Sequence, residues 1–175
     1  ARATLVQDGA LWYLDVDGVD DRYVPASPFA MTDQWSHVGG WMSVMSSDRA
    51  FATRDVSGSS LRTASDGWGI NDQGIGDIIS GVDPKTPHFI SINRVSDADA
   101  SGWFNGVVNS SNIDPQDNPA GVDGLALFSR ENDRWAAGFL GRFYCGAFIG
   151  GQNLIDIDRV AVEDGVDELT GVSLS

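Results

Sequence analysis

Lysine is almost absent: Lys85 stands alone beside ten arginines, against 25 acidic residues, for a net charge of −14. Duplex nucleic acid and anionic membrane surfaces both need a positive face, and no basic stripe supplies one. Glutamate is scarce too, at Glu131, Glu163 and Glu168, which leaves 22 aspartates. Cysteine occurs once, at Cys145, so an intrachain disulfide and a thiolate metal cluster are excluded, and a small buried hydrophobe is its expected role. The two histidines, His37 and His88, lack zinc spacing and are expected to be structural. No apolar stretch reaches the length of a membrane span and no signal peptide remains, so membrane insertion is not expected. The chain starts at Ala1, as a processed protein or an excised domain would, so secretion is not legible there. Phosphate loops and dinucleotide fingerprints are missing as well.

What the chain has is aspartate, glycine and short apolar segments. Asp dominance with almost no Lys fits a surface adapted to concentrated salt, where screening removes self-repulsion. It fits equally an Asp-rich loop protein, because Asp belongs in turns and Glu in helices. Strands are predicted at Leu11–Asp17, Arg22–Val24, Ser36–Met45, Ala50–Arg54, Gly67–Ile70, Ile75–Ile79, His88–Arg94, Gly102–Val108, Gly124–Ser129 and Gly141–Ile149. In "HFISINRV", Phe89, Ser91, Asn93 and Val95 fall on one face, with Ile90 and Ile92 on the other. Many short strands at this spacing mean a sandwich or a barrel. The tail "NLIDIDRVAVEDGVDELTG" is predicted helical, with Asn153 and Asp156 as a capping-box-like start. Ile157, Val160 and Ala161 would line its apolar side, and Gly165 would end or bend it. Without repeats or linkers, residues 1–175 are expected to form one domain.

The stretch "LDVDGVDDRYVPAS" offers Asp15, Asp17, Asp20 and Asp21 around Gly18, either as calcium ligands or as a turn. An EF-hand counted from Asp15 would put Val19 at position 5 and Ala26 at position 12, which no such loop tolerates, so a turn is expected.

Taken together these segments resemble concanavalin A-like and laminin-G-like jelly rolls. "LDVDGVDDRYVPAS" is similar to their opening hairpin, and "HFISINRV" with "GWFNGVV" (Trp103-Phe104-Asn105-Gly106) to a central strand pair. "GLALFSRENDRWAAGFLGRFYCGAFIGG" resembles their closing portion. The tail "ELTGVSLS" resembles the helical end of such domains in phage and other virion appendage proteins. The resemblance implies an all-β jelly-roll sandwich of two antiparallel sheets with a short C-terminal helix. It further implies a non-catalytic carbohydrate-binding or adhesion module on a virion surface or outside the cell, recognising host or extracellular polysaccharide. Other virion subunits are expected as partners, and a homo-oligomer, trimeric in one version. A structural or decoration protein without sugar binding is the alternative, and a glycan hydrolase or lyase the third reading.

The hydrolase branch needs paired carboxylates on one strand face. Here no Glu-x-Asp occurs, and the Asp-x-Asp pairs at 15/17, 97/99 and 156/158 fall beside a turn, in a polar loop and in the tail. No catalytic residue is therefore assigned. Sugar recognition combines an aromatic face with amide and acid groups. "SDGWGINDQG" offers Asp66, Trp68, Asn71 and Asp72, and "SRENDRW" offers Asn132, Asp133, Arg134 and Trp135. Trp68 and Trp135 are expected near one rim, although each taken singly also reads as a core residue, whereas Trp12, Trp41 and Trp103 are expected in the core. No cofactor is required. Calcium is a candidate at Asp114, Asp117, Asn118 and Asp123, which also read as an ordinary Pro- and Gly-punctuated loop.

Overall fold

The computed structural model describes residues 2–19, 21, 23, 34–44, 49–54, 60–64, 67–71, 77–96, 99–113, 125–128, 139–151 and 156–170. Chain order runs β1 (Thr4–Asp8), β2 (Leu11–Asp17), β3 (Trp35–Ser43), β4 (Arg49–Arg54), β5 (Ser60–Ala64) and β6 (Gly67–Asn71). It continues through β7 (Asp77–Ser80), β8 (His88–Ser96), β9 (Asp99–Phe104), β10 (Val107–Ile113), β11 (Leu125–Leu127), β12 (Leu140–Gly150) and α1 (Asp156–Thr170). One sheet has seven strands in the order β1-β2-β12-β3-β8-β9-β10, the other five in the order β11-β4-β5-β6-β7. Every pairing is antiparallel. The fold is the jelly-roll sandwich that the sequence resembles.

Turn chemistry is visible at two hairpins of the larger sheet. Asp8 pairs with Leu11 across Gly9-Ala10, and Gly9 alone takes positive φ (62°), as a II′ turn requires at its first central residue. Phe104 pairs with Val107 across Asn105-Gly106, where φ of 47° and 76° give the I′ turn that Asn-Gly favours. The run expected as one strand, Gly102–Val108, is thus a hairpin. Gly106→Ala should lower stability by about 1–2 kcal/mol, since a Cβ there meets no close atom and only the left-handed backbone penalises it. A denaturant midpoint equal to wild type would contradict this turn.

The Asp-rich stretch is a turn, but it joins no hairpin. The Asp17 carboxylate accepts from the Val19 N–H (2.8 Å) and the Asp21 carboxylate from the Asp17 N–H (2.9 Å). The chain then leaves β2, and Tyr23 bridges Leu127 at the end of the five-stranded sheet. Beyond that single bridge, the predicted strand Arg22–Val24 lies outside the described residues.

Period-two alternation builds the core. Trp35, Trp41, Ile90, Ile92, Ala100 and Val16 point inward from the seven-stranded sheet, against Trp68 and Ile79 of the other and Phe128 and Phe139 beside them. His37 is buried on this inner face as a cross-strand lock. Its Nδ1–H donates to the Ala147 carbonyl (3.1 Å) and its Nε2 accepts from the Trp41 indole N–H (2.8 Å). At the open edge between the sheets, the Asn109 carboxamide pairs with the Ser80 backbone through both its oxygen (2.9 Å) and its nitrogen (3.1 Å).

Helix α1 lies on the outer face of the larger sheet, where β8 presents Phe89 and Ser91 as the alternation predicts. Its sheet-facing stripe is buried Arg159, Glu163 and Val166 with partly buried Val162, and Val160 and Ala161 face solvent, contrary to expectation. Glu163 accepts from Arg159 and from the Ser91 hydroxyl, and the Arg159 guanidinium lies 4.6 Å over the Trp103 ring. The sheet face beneath is half polar, so an ion pair docks where an apolar stripe would leave Ser91 unsatisfied. Gly165 sits inside the helix and does not end it.

Candidate functional site

Trp68 is not at a rim. It occupies β6 at 0% exposure, its ring 6.3 Å from that of Trp41, 5.2 Å from His88 and 6.4 Å from Phe139. The strand pairs on both sides and its Trp points into the sandwich, so the stacking role expected of Trp68 is withdrawn. Asn71 ends the same strand, opposite Ser60. Asp66, Asp72, Asn132, Asp133, Arg134 and Trp135 lie outside the described residues, as do the calcium candidates Asp114, Asp117, Asn118 and Asp123. Among the described residues, no group of three or more His, Cys, Asp or Glu side chains is arranged to hold a metal.

Among the described residues, the exposed tryptophan is another one. Trp12, expected in the core, is 50% exposed on β2. By alternation it shares the inward face with Leu14 and Val16. Val16 is buried and Leu14 packs partly against the core, so cover from the second sheet runs out toward the β1–β2 turn. Gln7 faces Trp12 across the hairpin, its amide donating to the Gly9 carbonyl (3.2 Å), and exposed Leu5 lies one same-face position further along β1. The result is a rigid ledge carrying an indole, an amide and an aliphatic side chain. The missed signal was "DGAL", residues 8–11: Asp-Gly marks a turn, which puts Trp12 next to a hairpin tip.

On the other face of the same hairpin, Tyr13 packs against Tyr144 of β12 with ring centroids 5.5 Å apart. Val6, Leu11 and Met42 border them. Arg142 lies over the Tyr13 ring at 4.4 Å, and its hydrogen bond with Tyr144 holds its pKa above the ordinary value. Burial raises the pKa of the Tyr144 phenol, against the pull of that same guanidinium. Cys145, next along β12, is half-buried against the helix side, and burial raises its thiol pKa. Trp103, expected in the core, lies half-buried on this outer face beneath Arg159.

Both histidines are buried: His37 is paired through both ring nitrogens, as a satisfied structural group would be, whereas the buried His88 Nε2 finds no partner among the described residues. Desolvation lowers the pKa of His37 to about 3 and that of His88 to about 4, with backbone carbonyls of Ala147 and Thr86 opposing it.

The sandwich and its ledge can be set beside known proteins. No known family and no curated protein matches the sequence. Solved structures do resemble it in fold. The CBM40 of Ruminococcus gnavus IT-sialidase, bound to α2,3 sialyllactose, superposes with a TM-score of 0.65 at 12% identity, covering 93% of this chain and 100% of that one. Domain 4 of the Geobacillus stearothermophilus arabinanase AbnA, in complex with arabinotriose, gives 0.58 at 11% identity, covering 93% and 82%. Trypanosoma rangeli sialidase with sialic acid gives 0.63 at 8% identity; the match takes in 95% of this chain but spans only 29% of the sialidase.

Proposed function

We propose that this chain is a non-catalytic carbohydrate-binding module whose sugar contact is Trp12. The observation that carries the reading is a half-exposed indole held on a rigid hairpin, while Trp35, Trp41 and Trp68 are all buried. A large aromatic left in water forgoes roughly 1.5–3 kcal/mol of burial, and its flat face suits the C–H face of a pyranose. Gln7 beside it brings an amide that donates to and accepts from sugar hydroxyls. The fold agrees, since structures built on it hold sialyllactose and arabinotriose. The finer version is an extracellular or virion-surface adhesin that contacts host polysaccharide and assembles with other subunits, calcium binding at the 112–124 loop being optional.

A glycan array followed by titration of the best ligand tests the reading. Trp12→Ala should weaken binding about tenfold or more while changing stability by less than about 1 kcal/mol. Absence of binding to any glycan, or equal binding by wild type and Trp12→Ala, would remove Trp12 as the contact. An oligomer that buries Trp12 and binds no sugar would assign the chain to a structural role instead.

A further inference from the structure

Among the described cations, Arg94 and Arg159 are buried and Arg2 and Lys85 are exposed, whereas Arg142 lies between them, its side chain 32% exposed on the outer face of β12. Its position is nevertheless fixed. The Tyr13 ring supports one face of the guanidinium at 4.4 Å, and Tyr144 packs beside Tyr13 with ring centroids 5.5 Å apart. An arginine fork carries five donors. Asp8 approaches Nη1 only to 3.8 Å, beyond hydrogen-bond distance, from a side chain 70% exposed. Such a pair contributes little in water and yields readily to a better acceptor. Donors of the fork therefore remain without a protein acceptor among the described residues.

We propose that the outer face of β2 and β12 is a binding site for a carboxylate-bearing ligand, gripped by Arg142 and framed by Tyr13 and Tyr144. A planar carboxylate accepts two parallel N–H bonds from a planar guanidinium, and a fork held by a ring loses little entropy in making them. Charge selects this anion over a phosphate. Asp8 neighbours Arg142, and Asp15 is its register partner on β2, so a dianion would meet two like charges. A monoanionic carboxylate simply replaces Asp8. Val6, Leu11 and Met42 give the neutral remainder of the ligand an apolar border. A sugar acid and a simple carboxylate anion share this chemistry. The site lies on the opposite face of the hairpin from Trp12 and does not depend on it.

The test is titration of the full chain with D-glucuronate, D-glucose and acetate, followed by NMR at the Arg142 side chain and the Tyr13 and Tyr144 amides. Glucuronate should shift these signals and glucose should not. Arg142→Lys keeps the charge but loses the fork, and should weaken glucuronate about tenfold. Asp8→Asn removes the competitor and should strengthen it severalfold, an arm that stands even if the Arg142 variant fails to fold. Signals read at Arg142, Tyr13 and Tyr144 report this site alone, because the stacking ledge lies on the other face of the hairpin. Acetate binding as tightly as glucuronate would identify a simple carboxylate as the ligand and uphold the site. Equal responses to glucose and glucuronate, no response to any carboxylate, wild-type affinity in Arg142→Lys, or weaker binding in Asp8→Asn would each overturn it.

Discussion

Trp68→Ala is expected to lower the unfolding free energy by about 3–5 kcal/mol, the range for emptying a core tryptophan site. The site has little room to collapse. Trp41, His88 and Phe139 contact the ring from three directions, and β6 approaches β7 closely enough that a Cβ on Gly67 would fall 1.8 Å from the Ile79 carbonyl oxygen. The strands beside the cavity cannot shift inward without breaking their ladder. Trp68→Phe should lose less, because it keeps an aromatic ring in the slot. Urea titrations of both variants measure this directly. A loss under about 1 kcal/mol in Trp68→Ala would mean that the residue is not in the core.

Acid should destabilise the protein through its two histidines. Both folded-state pKa values, about 3 for His37 and about 4 for His88, lie below the unfolded value of 6.5. Within that window the unfolded chain binds more protons, so stability rises with pH. The contribution is complete above pH 6.5 and is lost as pH falls toward 4 for His88 and 3 for His37. Each histidine contributes about 1.4 kcal/mol per pH unit, so the pair should remove up to about 4 kcal/mol between pH 6.5 and pH 5. The physical event at His37 is plain. Its Nε2 accepts the Trp41 N–H, and a proton there would set two donors against each other. Urea unfolding at a series of pH values reads the slope, and His88→Gln should reduce it by one proton whatever it does to stability at pH 7.5. A pH-independent midpoint from 7 to 5 would show that the histidines are not buried neutral.

Much of the fold was legible because alternation and turn chemistry are local. Leu11–Asp17 was bounded correctly, since its apolar run gives way to Asp15-Val16-Asp17 and then to a Gly-Val-Asp turn. His88–Arg94 gave its two faces, and the structure turns Ile90 and Ile92 into the core and Phe89 toward the helix. The short strands at Thr4–Asp8 and Ser60–Ala64 were missed because "TLVQD" and "SLRTA" carry too few apolar residues to stand out, and pairing stabilises them. Helix α1 was foreseen but its buried face was not: an apolar stripe was sought where the sheet beneath presents Ser91 and Trp103. The site fared worst. Trp12 and Trp68 both lie in strands; the Asp8-Gly9 turn put Trp12 near a hairpin tip, but how far one sheet overlaps the other, which decides their exposure, is not a local pattern. The sugar-facing polar residues named from the sequence lie mostly outside the described residues.

The position of β12 has a consequence for synthesis. The first hairpin reaches the rest of its sheet through Leu140–Phe143, while β3 uses nearly the whole of the same eleven-residue strand. Leu11–Asp17 and Trp35–Ser43 leave the ribosome well before that strand exists. Until it arrives, each keeps an open row of backbone donors and acceptors facing the gap it will fill. Nascent chains that stall before Leu140 carry both unfilled edges at once, and these are the species that a chaperone must shield and that aggregate when it does not.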